Sequence, residues 1–219
     1  MINNLHKFKY KSFLSGNIIL INADCKAVMA EIGDKEIDLC LTDPPFGAMD
    51  NKRFGQGWFA KYNQDGKADS WDIAPEKKVF EEIFRTSKEQ IIWGGNYFEL
   101  PATRCFLIWK KLTISEKFSM AMAEYAWTSF NLNAKIFEYA PQDSTRFHAC
   151  QKPVALMAWC LNNYSKESDL IFDAFAGSFT TAIACIRTKR RFIGVELDPV
   201  YFEKAVERVD TELKQLTLF

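Results

Sequence analysis

The chain has few of the residues that build metal sites and disulfide frameworks. Its 219 residues include only two histidines, His6 and His148, and its six cysteines are scattered without a C-x-x-C pair. Zinc sites use clustered histidine and cysteine ligands, and disulfide-rich folds use regularly spaced cysteines. We therefore expect no metal and no disulfide framework, and we expect the cysteines to be reduced thiols.

Long apolar runs and an excess of one charge are also missing. No apolar run approaches the roughly 18 residues of a membrane span, and the first residues (MINNLHKFKYKSF) lack the apolar segment of a signal peptide. Lys and Arg number 28, as do Asp and Glu, so the formal net charge is zero. A neutral chain neither supports nor excludes a nucleic-acid partner, because a local basic face would suffice. We expect a soluble, cytoplasmic protein with no membrane partner.

Two common nucleotide-binding motifs do not occur. The chain contains no G-x-G-x-x-G and no G-x-x-x-x-G-K-[ST], which argues against a dinucleotide-binding protein and against a P-loop protein. What is present is a hydrophobic content of 48%, which at this length suits one α/β domain with a substantial core.

Apolar runs alternate with amphipathic segments along the chain. The predicted strands cover residues 17–25, 37–42, 89–95, 104–111 and 134–141, and the predicted helices cover residues 25–32, 76–87, 118–130 and 152–165. Residues 169–216 continue as strand, turn, helix, strand, turn and helix. This alternation predicts an α/β fold with a mostly parallel sheet and helices on both faces.

Two strand ends carry unusual residues. Asp43-Pro44-Pro45-Phe46 directly follows a buried-strand pattern, and Glu196 ends the strand that comes about twenty residues after the small-residue turn Ala176-Gly177-Ser178. A lone D-P-P is most often a chain stop, and a lone strand-end acid is most often solvated or a helix cap. Ligands of open α/β sheets bind at the carboxyl ends of strands, where small residues admit a ligand and an acid can accept from ribose hydroxyls. Together these features indicate a nucleoside-containing cofactor.

Four segments resemble motifs of the β-class S-adenosylmethionine-dependent DNA amino methyltransferases. NADC at 22–25 resembles the G-D-C segment, and DPPF at 43–46 resembles the catalytic D-P-P-Y/F motif. HACQKP at 148–153 resembles H-P-T-Q-K-P, and DAFAGSFTT at 173–181 resembles the cofactor motif D-P-F-x-G-S-G-T-T. The catalytic motif comes before the cofactor motif, as in that class. The resemblance spans roughly residues 17–209 and implies a Rossmann-like methyltransferase fold with circularly permuted motif order, formed by a single catalytic domain over residues 1–219.

The chain departs from this family pattern at five positions. Phe46 replaces the commoner tyrosine, and Ala149 and Cys150 replace a proline and a threonine. Ala174 replaces a proline, and Phe179 replaces the second glycine of the cofactor motif. Phe179 could either narrow the cofactor pocket or point into the core.

The resemblance implies a catalytic role for Asp43, Pro44, Pro45 and Phe46. The exocyclic amine of adenine or cytosine is a poor nucleophile, because its lone pair is delocalised into the ring. The Asp43 carboxylate and the Pro44 carbonyl would each accept one N–H of the amine, and the two prolines would stiffen the segment. The ring of Phe46 would offer a face on which a flipped base can stack.

The resemblance also implies a set of residues that bind S-adenosylmethionine. Glu196 would bind the ribose hydroxyls, Asp24 and Cys25 would lie near the adenine, and Lys152 would pair with the methionine carboxylate. Without the resemblance, Lys152 could equally be a solvated residue at a helix start, and Cys25 a small buried residue. The cofactor motif would line the methionine portion with Asp173, Phe175, Ala176, Gly177, Ser178 and Thr180.

Residues 48–72 form the predicted DNA-contacting loop. They carry basic and aromatic side chains, which suit phosphate contacts and base stacking: Lys52, Arg53, Phe54, Trp58, Phe59, Lys61, Tyr62, Lys67 and Trp71. The loop would close over the flipped base, and a plain surface loop is the alternative. Residues 110–147 could add contacts. No segment is long enough for a large separate target-recognition domain, so we expect a short recognition sequence or weak selectivity.

The function implied by the resemblance is site-specific methylation of adenine N6 in DNA, with S-adenosylmethionine as cofactor and base flipping. D-P-P with an aromatic is typical of adenine enzymes in this family, whereas cytosine-N4 enzymes more often carry S-P-P-Y. The alternatives are cytosine-N4 methylation, methylation of RNA or of a protein glutamine, a non-catalytic DNA-binding relative, and a cofactor-free interaction domain. DNA is the expected partner, in a bacterial cell or a phage-infected host. A homodimer and a cognate restriction endonuclease are further candidate partners.

Overall fold

The structure is a computed structural model that describes residues 4–47, 72–118, 120–141, 146–147 and 150–216. All of the predicted DNA-contacting loop except its last residue, Asp72, lies outside the described residues, as do His148 and Ala149 of the HACQKP segment. In the part of the chain that is described, no helix is both long and apolar enough to cross a bilayer.

The described residues form a nine-stranded sheet with the order β1-β2-β9-β8-β3-β4-β6-β5-β7. The strands are β1 (Lys9–Phe13), β2 (Ile18–Asn22), β3 (Ile37–Thr42), β4 (Ser87–Trp93), β5 (Phe106–Lys111), β6 (Ala123–Thr128), β7 (Lys135–Tyr139), β8 (Leu170–Asp173) and β9 (Arg191–Glu196). The five central strands, from β2 to β4, are mutually parallel. The sequences of β2, β3 and β8 are near-continuous apolar runs because both faces of the sheet are covered.

The outer strands include the antiparallel pairs. β1 runs antiparallel to β2, and β6 runs antiparallel to both β4 and β5. β7 pairs in parallel with β5. The predicted mostly parallel sheet is therefore confirmed, with antiparallel additions at both sides of the parallel core.

Five helices cover the two faces of the sheet in the described ranges. They are α1 (Cys25–Met29), α2 (Lys77–Thr86), α3 (Val154–Tyr164), α4 (Thr180–Arg187) and α5 (Pro199–Leu216). Apolar side chains of α1 and α2, among them Val28 and Phe80, pack in one buried cluster. Those of α3, α4 and α5, among them Leu156, Ala182 and Phe202, pack in the other. The prediction of helices on both faces is confirmed.

The prediction of a helix over residues 118–130 is wrong. Residues 123–128 form β6, which lies between β4 and β5 and hydrogen-bonds to both. The alanines, methionines and glutamate of this segment favour a helix, but pairing with two neighbouring strands and burial of Ala126, Trp127 and Thr128 outweigh that preference. The short strand β1 was not predicted, because most of its residues are exposed and it lacks an apolar pattern.

The chain direction creates a crevice between β3 and β8. From β3 the chain continues outward to β4, whereas from β8 it continues to β9 on the other side. The connections therefore diverge above these two neighbouring strands, and a ligand can lie in the space between them. The catalytic motif follows β3 and the cofactor motif follows β8, so two motifs that are far apart in sequence meet at one edge of the sheet.

Candidate functional site

A cleft opens at the carboxyl ends of the central strands. It has a volume of about 350 Å3 and adjoins a smaller hollow of about 60 Å3. Asp43, Phe175 and Gly177 line both spaces. The structure brings together every residue that the sequence assigned to the site. The cleft contains Asp24, Cys25, Asp43, Pro44, Pro45, Phe46, Phe175, Gly177 and Glu196, and the hollow contains Asp43, Lys152, Asp173, Phe175, Ala176, Gly177, Ser178 and Thr180.

The two carboxylate oxygens of Asp43 lie in different environments. The residue directly follows β3, and its Oδ2 accepts a hydrogen bond from Nζ of Lys152 at 2.5 Å. Its Oδ1 is buried and has no hydrogen-bond partner among the residues that the structure describes. Burial raises the pKa of the Asp43 carboxyl above its usual value, and the ammonium of Lys152 opposes this rise. One carboxylate oxygen is therefore fixed by a cation and the other is left as an unused acceptor.

Lys152 links Asp43 to a second carboxylate. Its Nζ lies 3.0 Å from Oε2 of Glu124, whose Oε1 lies 2.6 Å from Nζ of Lys111. We call Asp43, Lys152, Glu124 and Lys111 the charge chain. Burial alone would raise the pKa of Glu124, but the charges of Lys152 and Lys111 outweigh it and lower that pKa to about 2. Burial likewise opposes the charged form of Lys152, yet the two carboxylates raise its pKa above the usual value.

Sequence analysis identified only two of the four residues of the charge chain, Asp43 and Lys152. Glu124 lies on β6, in the segment predicted to be a helix, and its partner Lys111 ends β5. Recognising two adjacent antiparallel strands here would have brought their opposite charges together. The sequence also assigned Lys152 to the methionine carboxylate, and in the structure Lys152 lines the hollow while its ammonium pairs with Asp43 and Glu124.

Phe46 lies in an aromatic stack. Its ring is half-buried and stacks on the ring of Tyr97, with centroids 4.6 Å apart and an interplanar angle of 13°. Gly94, which has a φ of +68°, lies beside the ring, and a Cβ there would approach Cε1 of Phe46 to 2.5 Å. The ring therefore owes its position to the absence of a side chain at Gly94, and Tyr97 covers one of its faces.

Asp173 ties the cofactor motif to the catalytic strand. Its Oδ1 accepts hydrogen bonds from the Thr42 hydroxyl at 2.8 Å and from the Phe175 N–H at 3.2 Å. Its Oδ2 accepts from the Thr181 hydroxyl at 2.7 Å. Burial raises the pKa of Asp173 to about 6, and the two hydroxyls act in the opposite direction. Both oxygens are thus used to join the end of β3, the end of β8 and the start of α4.

Phe179 points into the core. It is fully buried and packs edge-on against Phe192 at 6.1 Å and against Phe202 at 6.4 Å between ring centroids. Gly194 on β9 leaves space for it, because a Cβ there would come within 2.8 Å of Cε1 of Phe179. The φ of Phe179 is +53°, a left-handed conformation that suits the glycine usual at this position. Of the two possibilities left open by the sequence, the structure selects the core.

Glu196 at the end of β9 is held by two backbone amides. Its Oε2 accepts from the Gly177 N–H at 2.9 Å, and its Oε1 accepts from the Asp198 N–H at 2.8 Å. Burial raises the pKa of Glu196 to about 7, and both backbone bonds oppose the rise. Each carboxylate oxygen keeps a further lone pair, so the oriented side chain can still accept bonds from a ligand.

The start of α1 forms another wall of the cleft. The Asp24 side chain caps the helix by accepting from the Lys26 N–H at 2.8 Å. Cys25 is buried, and burial raises the pKa of its thiol to about 12. The thiol is therefore neutral near pH 7 and contributes an apolar surface.

The end of the cofactor motif is anchored from α5. The hydroxyls of Ser178 and Thr180 lie 3.0 Å apart, and Arg208 donates to the Ser178 carbonyl at 2.8 Å and to Oγ1 of Thr180 at 3.0 Å. Further cleft residues that the sequence did not single out come from the segment before α2 and from the start of α5, and they are Asp72, Ile73, Ala74, Glu76, Leu197 and Tyr201. Pro75 before an amphipathic helix was the visible signal for the first of these segments.

Comparisons with known proteins show to which family the chain belongs. A family model described as DNA methylase matches residues 75–207, more than half of the chain. A protein of Escherichia coli K12 named "Putative methylase YubD" is 25% identical over 210 residues, which are 86% of this chain and 88% of that protein. The DNA adenine methyltransferase YhdJ of the same strain is 38% identical over 68 residues, which are 31% of this chain and 23% of that protein.

Solved structures share the fold. A complex of M1.HpyAVI with S-adenosylmethionine has a TM-score of 0.58 at 20% identity and covers 88% of this chain and 98% of its own. The cytosine-N4-specific PvuII DNA methyltransferase has a TM-score of 0.63 at 15% identity, with coverages of 88% and 86%. These similarities confirm the predicted methyltransferase fold. The family match confirms the resemblance found in the sequence motifs, and the chain belongs to the DNA methylase family of N6 and N4 amino methyltransferases.

Proposed function

We propose that this protein transfers a methyl group from S-adenosylmethionine to the N6 amine of adenine in DNA, at a specific site and after flipping the base. The observation that carries the proposal is the state of Asp43. One of its oxygens is fixed by Lys152, and the other is buried without a donor among the described residues. A buried acceptor without a donor costs free energy, and an amine N–H from a substrate would satisfy it.

The cleft suits the proposed cofactor. Its volume lies in the range of small-molecule sites, and its walls combine apolar surface with a few fixed polar groups. Glu196 would accept from the ribose hydroxyls, while Asp24 and Cys25 would lie beside the adenine. Gly177, with a φ of +50°, leaves its side of the cleft open to close approach. When bound, S-adenosylmethionine supplies an electrophilic methyl group on its sulfonium.

The cofactor motif would surround the methionine portion. Phe175, Ala176, Ser178 and Thr180 line the hollow next to the cleft, and Asp173 fixes the turn through its bonds to hydroxyl groups. Lys152 also lines this hollow and donates to Asp43, so we propose that its ammonium pairs with the methionine carboxylate as well as with Asp43.

Asp43 and Pro44 would activate the amine. Oδ1 of Asp43 would accept one N–H and the carbonyl of Pro44 the other, which turns the nitrogen lone pair toward the methyl group. Positive charge develops on the nitrogen during transfer, so a carboxylate and a carbonyl held in place before the reaction stabilise the transition state. Pro44 and Pro45 lack N–H groups and restrict the backbone, so the carbonyl keeps its direction.

Phe46 would receive the flipped base. Tyr97 covers one face of the ring, so the base would stack on the other face. Tyr97 would then support the Phe46 ring from the face opposite the base. The predicted loop over residues 48–72 would close over the base and contact phosphates, and the single catalytic domain would read a short recognition sequence.

Adenine is proposed as the target for two reasons. The chain carries D-P-P-F, which resembles adenine enzymes, and YhdJ is named as a DNA adenine methyltransferase. Cytosine-N4 methylation is the second candidate, because the PvuII methyltransferase, named as cytosine-N4-specific, has the higher TM-score of the two solved structures described. Both amines would use the same acceptors.

The experiment that tests the proposal identifies the product. The protein is incubated with S-adenosylmethionine and unmethylated DNA of mixed sequence, and the digested nucleosides are analysed by mass spectrometry. N6-methyladenine is the expected product. N4-methylcytosine would overturn the choice of base and keep the mechanism. No methylated nucleoside, despite measured cofactor binding, would overturn DNA as the substrate and favour RNA, a protein glutamine or a non-catalytic role.

A further inference from the structure

The charge chain joins two buried lysines to two partly buried carboxylates, with the side chains of Asp43 and Glu124 18% and 29% exposed. The side chains of Lys152 and Lys111 are each only 8% exposed. Each ammonium also lies over an indole ring, with Nζ of Lys152 at 6.0 Å from the Trp93 centroid and Nζ of Lys111 at 5.1 Å from that of Trp109. Two buried cations, each paired with a carboxylate and each over an aromatic face, form a fixed arrangement rather than a set of mobile surface ion pairs.

We infer that Glu124 and Lys111, which lie outside every recognised motif, are positioning residues for methyl transfer. Glu124 holds Lys152 on Oδ2 of Asp43, so that Oδ1 remains the oxygen for the substrate amine, and Lys111 holds Glu124. The inference rests on the proposed function, because it assigns these residues to the acceptor role of Asp43. It adds two side chains from β5 and β6 to a site that the motifs place at the ends of β2, β3, β8 and β9 and just before α3.

The order of the charges supports this role. Along the chain they run negative, positive, negative and positive, from Asp43 at the cleft to Lys111 away from it. If Lys152 were paired with Asp43 alone, its ammonium would cancel much of the field that the carboxylate exerts on the developing positive charge of the amine. Glu124 offsets that ammonium and leaves the negative end of the chain at the reacting nitrogen.

A purely structural explanation is weaker. Burying two cations against two partly buried carboxylates carries a desolvation cost that apolar side chains in their place would avoid. β5 also carries an ordinary pair that makes a useful control. Lys110, the residue before Lys111, bonds to Glu138 on β7 at 2.6 Å, and both side chains of this pair are more than half exposed. The same strand therefore has one solvated ion pair and one pair with a buried lysine that continues to Asp43.

The test compares Glu124→Gln with Glu138→Gln in the full-length chain. Single-turnover methyl transfer to DNA, the Kd for S-adenosylmethionine and urea unfolding are measured for both variants. Glu124→Gln should lower the transfer rate by about 10- to 100-fold, the range known for residues that orient metal ligands, which is a comparable positioning role. Its cofactor Kd should stay within about twofold of the wild-type value. Glu138→Gln should match the wild-type protein in every measurement.

The pH profile separates positioning from simple stability. Glu124 raises the pKa of Asp43 and Lys111 lowers it, and Asp173 and Cys150 are further titratable groups that interact with Asp43. Removing the Glu124 charge should lower the pKa of Asp43 and so move the acidic limb of the pH–rate profile to lower pH. Lys111→Gln should move it to higher pH and reduce the rate less. A change in stability alone would not shift the two profiles in opposite directions.

The outcomes distinguish this inference from the proposed function. Wild-type protein that methylates DNA, with Glu124→Gln unchanged in rate and pH profile, would overturn the inference alone. Wild-type protein that transfers no methyl group would overturn the proposed function and the inference with it. If Glu124→Gln does not fold, the inference is tested with Lys111→Gln. A reduced transfer rate, with the acidic limb of the pH–rate profile at higher pH, supports the positioning role, and an unchanged profile refutes it.

Discussion

Cofactor affinity should depend on pH through Glu196. Burial raises the pKa of this carboxyl to about 7, so its ionised fraction rises from about one-tenth at pH 6 to about nine-tenths at pH 8. The carboxylate can accept from both ribose hydroxyls, whereas the protonated acid has lost an acceptor position. If binding requires the ionised form, the Kd for S-adenosylmethionine should fall by up to about tenfold over this range, equal to about 1.4 kcal/mol.

Isothermal titration calorimetry at pH 6, 7 and 8 measures this dependence directly. Glu196→Gln cannot ionise, so it should lose the contribution of this residue while keeping any contribution from titration of the cofactor itself. At pH 8 it should bind more weakly by on the order of 1–3 kcal/mol, the value of hydrogen bonds to a charged acceptor. Glu203→Gln, an exposed acid on α5, is the matched control and should retain the wild-type dependence. Identical pH curves for the wild-type protein and Glu196→Gln would refute the assignment of Glu196.

Three further predictions concern packing, base binding and the loop. Phe179→Gly should lower the free energy of unfolding by about 2–4 kcal/mol in urea titrations, because the loss of a buried ring outweighs the relief of its positive φ; wild-type stability would contradict its core position. Gly94→Ala should displace the ring of Phe46 and weaken DNA binding, measured by fluorescence anisotropy, while the cofactor Kd is unchanged. A DNA affinity equal to that of the wild-type protein would contradict the proposal that the flipped base stacks on Phe46. Deleting residues 51–68 should abolish DNA methylation and preserve cofactor binding, and intact methylation would end the closing-loop hypothesis.

The site was predictable wherever one strand end defines a residue's position. Asp43, Asp173 and Glu196 each end or follow a central parallel strand, and the carboxyl ends of parallel strands lie at one edge of the sheet. Local sequence was therefore sufficient to predict that these residues and the turn at Gly177 lie close to one another. The alternation of apolar runs with amphipathic segments also correctly predicted helices on both faces of the sheet.

The charge chain could not be predicted, because it depends on pairing between strands. Glu124 meets Lys152 only if residues 123–128 form a strand beside β4, and their composition favours a helix. The orientation of Phe179 was equally inaccessible, since it depends on the missing side chain of Gly194 on a different strand. In both cases a contact distant in sequence decides the outcome, and local preference carries no information about it.

The central claim is that Oδ1 of Asp43 accepts an N–H of adenine, and Asp43→Asn tests it most directly. Lys152 would hold the amide oxygen, so the amide N–H2 would face the substrate amine and repel it. Mass spectrometry of DNA from single-turnover reactions should show N6-methyladenine with the wild-type protein. With Asp43→Asn the yield of N6-methyladenine should fall by about 100-fold or more, at unchanged cofactor Kd. Equal yields of N6-methyladenine from the two proteins would contradict the claim.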